Sequence, residues 1–325
     1  KLNKVVSAPT GDPIAFHSFE EFLNAIKSQI AYAVRAVVIG SHLIDDICMN
    51  RPVPALSLSF KECIESAKDY AWGGAKYNTG NGIICIGVAD LINSVAAIKH
   101  VIYDTKSATM AEMLEALDRN FAGSEKIWKL CCDAPKYGND NPEVDDMAAD
   151  LFTFIADEIE KYQSKFGKMT PGILPVSGNT PFGLEVGALP SGREAWKPLA
   201  DGVSPSGGTD FNGPSSVLKS VAKLQHARFV QGTLLNMKVD PALLSSEHGV
   251  LNMMSLLKSM CSLGVYHVQF NVIDQEKLIE AQKHPEEYEG LLVRVEGYTA
   301  YFTELGKDVQ DEIIGRTVQQ GIAVG

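Results

Sequence analysis

One segment near the carboxyl end decides the fold and the chemistry of this chain: Leu292-Val293-Arg294-Val295-Glu296-Gly297-Tyr298-Thr299-Ala300-Tyr301-Phe302. Its glycine, Gly297, stands between apolar and aromatic residues, which we expect to shield it from water. A glycine α-hydrogen is unusually weak when the backbone is planar, because the α-carbon radical is delocalised into the nitrogen and the carbonyl. Any other residue would add a Cβ that opposes this planarity. Taken alone, the segment also fits a glycine that only supplies a positive φ angle to a turn.

Further segments make this run resemble the radical loop of the glycyl radical enzymes, which reads Arg-Val-small-Gly-Tyr followed by an aromatic residue. The segments that share the resemblance are 187–193, 201–205, 213–214 with 218–221, 232–236, 267–271 and 304–317, and upstream 73–78 and 93–99. Within this pyruvate formate-lyase-like superfamily, the tail and the 232–238 segment look closer to the eliminases and decarboxylases. The resemblance implies that Gly297 carries the radical and that Arg294, Val295, Tyr298 and Phe302 support its loop.

One position departs from the family pattern. Glu296 stands where the family usually has alanine or serine, and a carboxylate is costly to bury without a partner. We expect either a cation such as Arg294, or a backbone donor, to satisfy this carboxylate. The remaining alternative is a loop that is more open than usual.

The resemblance also implies an architecture. Glycyl radical enzymes have a ten-stranded α/β barrel of two half-barrels, in which the glycine loop meets a loop bearing a catalytic cysteine in a Gly-Cys-x-Glu context. No Gly-Cys dipeptide occurs in this chain. We therefore interpret it as the carboxyl-terminal half of such an enzyme, with a half-barrel and its surrounding helices at 1–273 and a glycyl radical domain at 274–325.

The implied function is that of a radical lyase, of the dehydratase type or one that cleaves a related C–C or C–X bond of a small polar substrate. Gly297 would pass its radical to the cysteine of the other half, on a separate chain or fragment. A radical S-adenosylmethionine activating enzyme would install the radical, so the chain itself need hold no cofactor and no metal. Two alternatives remain: an arylalkylsuccinate synthase-like addition to fumarate, or a replacement subunit for an oxygen-damaged enzyme. Without the resemblance, the sequence supports only an α/β domain of unknown activity.

Four residues are candidates for the substrate pocket. Leu174 and Val176 lie on a proline-rich segment, and Asn236 and Gln269 lie on later predicted strands. The first two would supply an apolar wall and the last two polar contacts. For all four residues, an ordinary structural role in the core is the competing interpretation.

Composition excludes several classes of partner. The chain has 29 basic and 40 acidic residues, and its net charge of −11 disfavours nucleic acid because no basic surplus is available for phosphates. No apolar stretch approaches the length of a membrane span, and the amino end lacks the apolar core of a secretory signal. We expect a cytoplasmic protein that works in an oligomer.

The six cysteines of the chain show no metal-ligand spacing, so we interpret them as free thiols, with a Cys131–Cys132 disulfide as the less favoured alternative.

Hydrophobic periodicity predicts alternating helices and strands, which is typical of an α/β protein. The predicted helices cover 19–46, 56–69, 88–103, 109–121, 145–166, 215–223 and 245–262, and the predicted strands cover 232–239 and 265–273. Between them, 168–208 is rich in proline and glycine. We expect loops and short strands there, with the apolar residues of the region buried: Ile173, Leu174, Val176, Phe182, Leu184 and Val186.

Overall fold

The computed structural model describes residues 6–76, 82–245 and 247–319. This part of the chain contains thirteen α-helices: α1 Phe19–Met49, α2 Pro54–Ser57, α3 Lys61–Ser66, α4 Val88–Ile98, α5 Met110–Asp118, α6 Glu125–Asp133, α7 Pro142–Glu160, α8 Asn179–Gly183, α9 Pro214–Ala222, α10 Pro241–Ser245, α11 Gly249–Leu263, α12 Gln275–Lys283 and α13 Lys307–Gly315. Its nine strands are β1 Gly82–Ile84, β2 Gln163–Ser164, β3 Gly167–Lys168, β4 Thr170–Gly172, β5 Leu234–Val239, β6 His267–Val272, β7 Leu292–Arg294, β8 Thr299–Tyr301 and β9 Val318–Gln319. Residues 77–78 of the segment 73–78, and 320–325 of the expected radical domain, lie outside the described residues.

Helix starts follow the capping residues of the sequence. The Ser18 hydroxyl accepts the Glu21 N–H at 3.1 Å and begins α1, while Thr109 and Glu112 form a reciprocal capping box at the start of α5. Helix α4 runs on into a π-helical segment, Lys99–Asp104. The helices predicted at 19–46, 88–103, 109–121, 215–223 and 245–262 are confirmed, with shifted ends.

Two helix predictions are wrong in extent. The predicted helix 56–69 is instead the short pair α2 and α3, because the buried Asp69 carboxylate accepts the backbone N–H groups of Val53 and Ala71 and the Ser57 hydroxyl. These bonds hold the chain in a loop. The predicted helix 145–166 ends at Glu160 as α7, and the chain turns into the β2–β3 hairpin.

The proline-rich region 168–208 is mainly loop with the end of β3 and the short strand β4, as expected, but it also contains the short helix α8, and only part of its apolar content is buried. Ile173 is fully buried, whereas Val176, Phe182 and Leu184 are exposed. The expected burial is therefore wrong for these three side chains. They point away from the core of the described chain.

Parallel strands form the framework of the site. Strand β1 pairs with β4, an isolated parallel bridge joins Ile173 to Thr233, and β5 pairs with β6 along its full length. Strand β9 pairs with the end of β5. The strand predictions at 232–239 and 265–273 are confirmed, and the chain has the mixed α/β arrangement expected of its sequence.

The two faces of β5 and β6 differ in character because side chains alternate along a strand. One face contributes Leu235, Met237, Val268 and Phe270 to the main hydrophobic core. That core is centred on α4 and α7, where Phe152 is fully buried and packs edge-to-face on Phe229. The opposite face carries the polar residues Asn236, Lys238, Gln269 and Asn271.

A second, smaller cluster lies under the polar face and joins α12, α13 and the β7–β8 hairpin. Its buried residues are Ile273, Leu278, Ala281, Val293, Val295, Phe302 and Ile313. The hairpin therefore rests on its own apolar base while its tip faces the polar side of β5 and β6.

Within the described ranges, no helix is both long and apolar enough to cross a membrane. The same residues contain no group of three or more His, Cys, Asp or Glu placed to hold a metal ion. Cys131 and Cys132 are free thiols, so the disulfide alternative is wrong.

Candidate active site

The turn that joins β7 to β8, residues 295–298, is here called the glycine loop. The Val295 N–H donates to the Tyr298 carbonyl at 3.0 Å and closes the turn. Gly297 has φ +80, a left-handed conformation that residues with a Cβ adopt at a cost. A Cβ added to Gly297 would meet only Leu174 Cδ1, at 3.8 Å, so the backbone conformation and not lack of space calls for glycine.

The glycine loop is buried at its base and open at its tip. Val295 and Phe302 are fully buried, whereas Gly297 and Tyr298 are exposed. The expectation that this chain shields Gly297 from water is therefore wrong for the described residues. The apolar side chains beside the glycine, Val295 and Phe302, pack into the small cluster under the hairpin and fix the base of the loop. They do not cover Gly297.

Side chains from three elements hold the backbone that leads into the glycine loop. Asn271 of β6 makes two bonds with Arg294, donating to its carbonyl at 2.7 Å and accepting its N–H at 2.8 Å. Asn236 of β5 donates to the Val295 carbonyl at 3.2 Å. Arg316, just beyond α13, donates to the same carbonyl at 3.1 Å. The loop's position is thus set by directional bonds from the sheet and from the tail.

Arg316 is the centre of a buried ion-pair network. Its guanidinium binds both Glu312 oxygens, at 2.9 and 2.8 Å, and lies 3.3 Å from Asp201. Burial alone would lower the pKa of Arg316, but the Glu312 and Asp201 carboxylates outweigh it and raise that pKa. Asp201 also accepts the Asn236 amide at 2.6 Å, so the same network orients a residue that holds the loop.

Glu296 is completely buried, and a backbone donor satisfies one of its oxygens. Its Oε2 accepts the Ser177 N–H at 2.8 Å, which is the second of the arrangements expected from the sequence. Arg294 is not the partner, because its guanidinium donates to Thr299 Oγ1 at 2.8 Å. Burial, and then the negative charge of Asp201, raise the pKa of Glu296 to about 8. Among the described residues, Oε1 of Glu296 has no hydrogen-bond partner.

The structure places the four pocket candidates differently. Leu174 borders Gly297, and Val176 is exposed close by, in the turn that reaches Glu296. Asn236 and Gln269 are register partners on adjacent parallel strands. Both of their side-chain oxygens are buried and lack a hydrogen-bond partner within the described chain. The Asn236 amide nitrogen donates to Asp201 and to the Val295 carbonyl of the loop.

Several residues that hold the loop were not among the candidates from sequence. Asn271, Arg316, Asp201 and Glu312 all lie in segments that resemble the family, so the sequence carried a signal for them. Ser177 contributes a backbone N–H, which no residue pattern could reveal.

A cavity of about 650 Å³ lies beside the Arg316 network, not at the glycine. Its lining includes Asp90, Arg193, Asp201, Asn236 and Arg316, while Gly297, Leu174 and Gln269 are not part of it. Gly297 and this cavity are therefore separate features of the described chain, joined through Asn236, which lines the cavity and donates to the Val295 carbonyl.

Two family models match the chain, one for pyruvate formate lyase-like proteins over residues 1–183 and one named glycine radical over residues 199–303. The chain belongs to the glycyl radical enzymes. The second match includes the glycine loop.

Named relatives of this family are similar over nearly the whole chain. Trans-4-hydroxy-L-proline dehydratase of Clostridioides difficile is 40% identical over 319 residues, which is 97% of this chain and 40% of the relative. The probable dehydratase YbiW of Escherichia coli strain K12 is 37% identical, covering 93% of this chain and 39% of the relative. The glycerol-bound B12-independent glycerol dehydratase of Clostridium butyricum superposes with a TM-score of 0.94 at 40% identity, covering 99% of this chain and 41% of that one. The chain spans about two fifths of the length of these glycyl radical enzymes.

Proposed function

We propose that this chain is the glycyl-radical-bearing part of an anaerobic radical lyase, and that Gly297 carries the radical. The observation that carries the proposal is the glycine loop itself. A glycine in a left-handed conformation stands at an exposed tip, and side chains of β5, β6 and the tail hold the backbone before it. Such a loop fixes the α-carbon while leaving it reachable for hydrogen transfer.

The remaining chemistry is assigned to parts outside this chain. A radical S-adenosylmethionine activating enzyme would remove the Gly297 α-hydrogen. The glycyl radical would then take a hydrogen atom from a cysteine thiol in a Gly-Cys-x-Glu loop, and the resulting thiyl radical would take one from the substrate. In this chain, Arg294, Val295, Tyr298 and Phe302 are proposed to support the loop, while Leu174, Val176, Asn236 and Gln269 are proposed to border the pocket.

The exposed apolar surface supports a large contact with the rest of the enzyme. Helix α1 exposes Ile39, Leu43, Ile44 and Ile47, and α11 exposes Val250, Leu251, Met254 and Leu257. Contiguous apolar patches of this kind mark interaction surfaces. We propose that they pack against the part bearing the cysteine loop, so that the parallel strands β1, β4, β5 and β6 form part of a ten-stranded barrel. In this arrangement 1–273 is the half-barrel and 274–325 the radical domain.

The proposed reaction class is dehydration of a small polar substrate. The three relatives described above are dehydratases, or a probable one, and each is similar over nearly the whole chain. This extent argues against a replacement subunit, which would resemble the family only around the glycine loop. A cytoplasmic location and an oligomeric assembly stay predictions.

The test is electron paramagnetic resonance of the complete enzyme after anaerobic activation. We expect a doublet that collapses to a singlet when glycine α-hydrogens are replaced by deuterium, and that is absent in Gly297→Ala. Gly290→Ala is the matched control, because Gly290 is exposed, has no positive φ and leaves open space for a Cβ. A doublet of normal intensity in Gly297→Ala would overturn the assignment.

The reaction class is tested with the same activated enzyme. A panel of small diols and hydroxylated amino acids should yield the dehydrated product, detected by mass spectrometry as a loss of water. Addition of a substrate to fumarate, with no dehydration in the panel, would replace the dehydratase proposal by the synthase alternative.

A further inference from the structure

Glu296 and Gly297 are adjacent in sequence but lie in opposite environments. Glu296 is completely buried while Gly297 is exposed. The side chain of Glu296 therefore points from the glycine loop into the protein. Within the described residues, its carboxyl group accepts a hydrogen bond from the turn at Val176–Ser177.

That turn is built to present a donor to Glu296. Val176 has φ +50 and Ser177 has φ +64, so two consecutive residues with a Cβ adopt the left-handed conformation. Such strain persists where the surrounding structure determines it. Here it directs the Ser177 N–H toward Oε2 of Glu296, at 2.8 Å. The Val176–Ser177 turn and the glycine loop are thus joined by the hydrogen bond to the Glu296 side chain.

The charged groups around Glu296 carry no surplus of positive charge. Asp201 and Glu312 bring two carboxylates and Arg316 one cation, and the buried Lys238, which interacts with Arg316 and Glu312, brings a second cation to the same network. Lys238 donates to the carbonyl of Ile314 at 2.8 Å. An ionised Glu296 would add one unbalanced negative charge to this buried group, which is strongly unfavourable. A neutral Glu296 adds none.

We infer that Glu296 is a protonated latch: as a neutral carboxyl it fastens the glycine loop to the Val176–Ser177 turn, and its ionisation loosens the loop. The neutral form keeps the bond to Ser177 through its carbonyl oxygen. It also gives the remaining oxygen, which has no partner among the described residues, a proton to donate to a water molecule or to a shifted acceptor. Glu296 is in this sense a positioning residue for Gly297.

The direction of the pH dependence follows from the two states of the loop. In the released loop the Glu296 carboxyl has its ordinary pKa of 4.5, whereas in the fastened loop its pKa is about 8. Between pH 4.5 and pH 8, the fastened loop therefore binds more protons than the released loop. The attachment is at full strength below pH 4.5 and weakens as the pH rises toward 8. The equilibrium constant for fastening the loop falls by up to about tenfold per pH unit in this range.

The test measures amide hydrogen exchange of the complete enzyme before activation, at several pH values and corrected for intrinsic exchange chemistry. The reporters are the N–H groups of Ser177, Arg294 and Val295, which donate within this assembly. In the wild type we expect their protection to fall up to about 100-fold between pH 5 and pH 7. Amides of α4 serve as the internal reference and should not change.

Variants separate the latch from a merely structural role. Glu296→Gln keeps the acceptor for Ser177 and is neutral at every pH, so it should protect the reporters as the wild type does at pH 5 and show no fall toward pH 7. Glu296→Ala should lose protection of Ser177 at all pH values. Glu289→Gln, at an exposed glutamate of the same segment, should behave as the wild type.

Two outcomes would overturn the inference. One is an equal pH dependence in the wild type and in Glu296→Gln, which would assign the titration to other groups such as Lys238 or Asp210. The other is a Glu296→Gln protein whose reporters exchange as fast as those of Glu296→Ala at pH 5. Because the enzyme is not activated in this experiment, neither outcome depends on whether Gly297 carries a radical.

Discussion

The core around α4 and α7 and the assembly around the glycine loop are held together in different ways. The core is a large set of apolar side chains, among them Phe152, Leu151 and Ile155, that contact one another without directional bonds. The glycine loop rests on a small apolar cluster, and its backbone is positioned by a few hydrogen bonds to the side chains of Asn236, Asn271 and Arg316. The core thus stabilises the chain as a whole, while the site depends on individual polar contacts that can be removed one at a time.

The largest expected effect is in the core. Phe152→Ala should lower the free energy of hydrogen exchange of α4 and α7 amides by about 4 kcal/mol, because it leaves a cavity at a fully buried aromatic site. Phe154→Ala on the same helix is the control and should have a smaller effect, since Phe154 is only half-buried. An equally large loss of protection at Val295 would show that the two regions are not independent.

Removal of the central cation should affect the other region. Arg316→Met leaves the buried Asp201 and Glu312 carboxylates without their partner, and we expect about 3 kcal/mol less protection of the Arg294 and Val295 amides. The hydrogen exchange of the α4 amides should stay unchanged.

The matched control for Arg316 is Arg228→Met. Arg228 also binds two carboxylates, those of Asp157 and Glu160, but at the surface, where such pairs contribute less than about 1 kcal/mol. If Arg316→Met and Arg228→Met lowered amide protection by the same amount, burial would not be the reason that the Arg316 network stabilises the loop.

A smaller effect is expected from a single neutral partner. Asn271→Ala removes both bonds to Arg294 and should lower the protection of the Arg294 amide by about 1 to 2 kcal/mol. Asn24→Ala, at an exposed position of α1, should leave that amide unaffected. No change at Arg294 in Asn271→Ala would mean that Asn236 and Arg316 are sufficient to position this backbone.

Sequence patterns predicted the elements that carry local signals. Hydrophobic periodicity predicted α1 and α5, which begin after the capping residues Ser18 and Thr109, and alternation of polar and apolar residues identified β6. Helix α6 was missed although Ile127, Leu130 and Cys131 have helical spacing. The predicted helix 56–69 failed because one long-range group, Asp69, holds that chain in a loop.

The candidate site was predictable only in part for a related reason. Gly297 stood out because its neighbours form a recognisable run, yet the residues that hold the loop act on backbone carbonyls and N–H groups. A backbone partner is the same chemical group at every position, so a residue pattern cannot specify which one Asn271 or Arg316 will bind. The exposure of Phe182 and Leu184 was equally hidden, because burial depends on which surfaces of the fold are covered.

The left-handed conformation at Val176 is kept by the backbone around it and not by its own side chain. A β-branched residue in that conformation costs about 1–2 kcal/mol relative to glycine. Val176 is more than half exposed, so packing of its side chain within the described chain does not offset this cost. The hydrogen bond from the Ser177 N–H to Glu296 depends on the same turn, so the free energy of that contact offsets part of the strain at Val176.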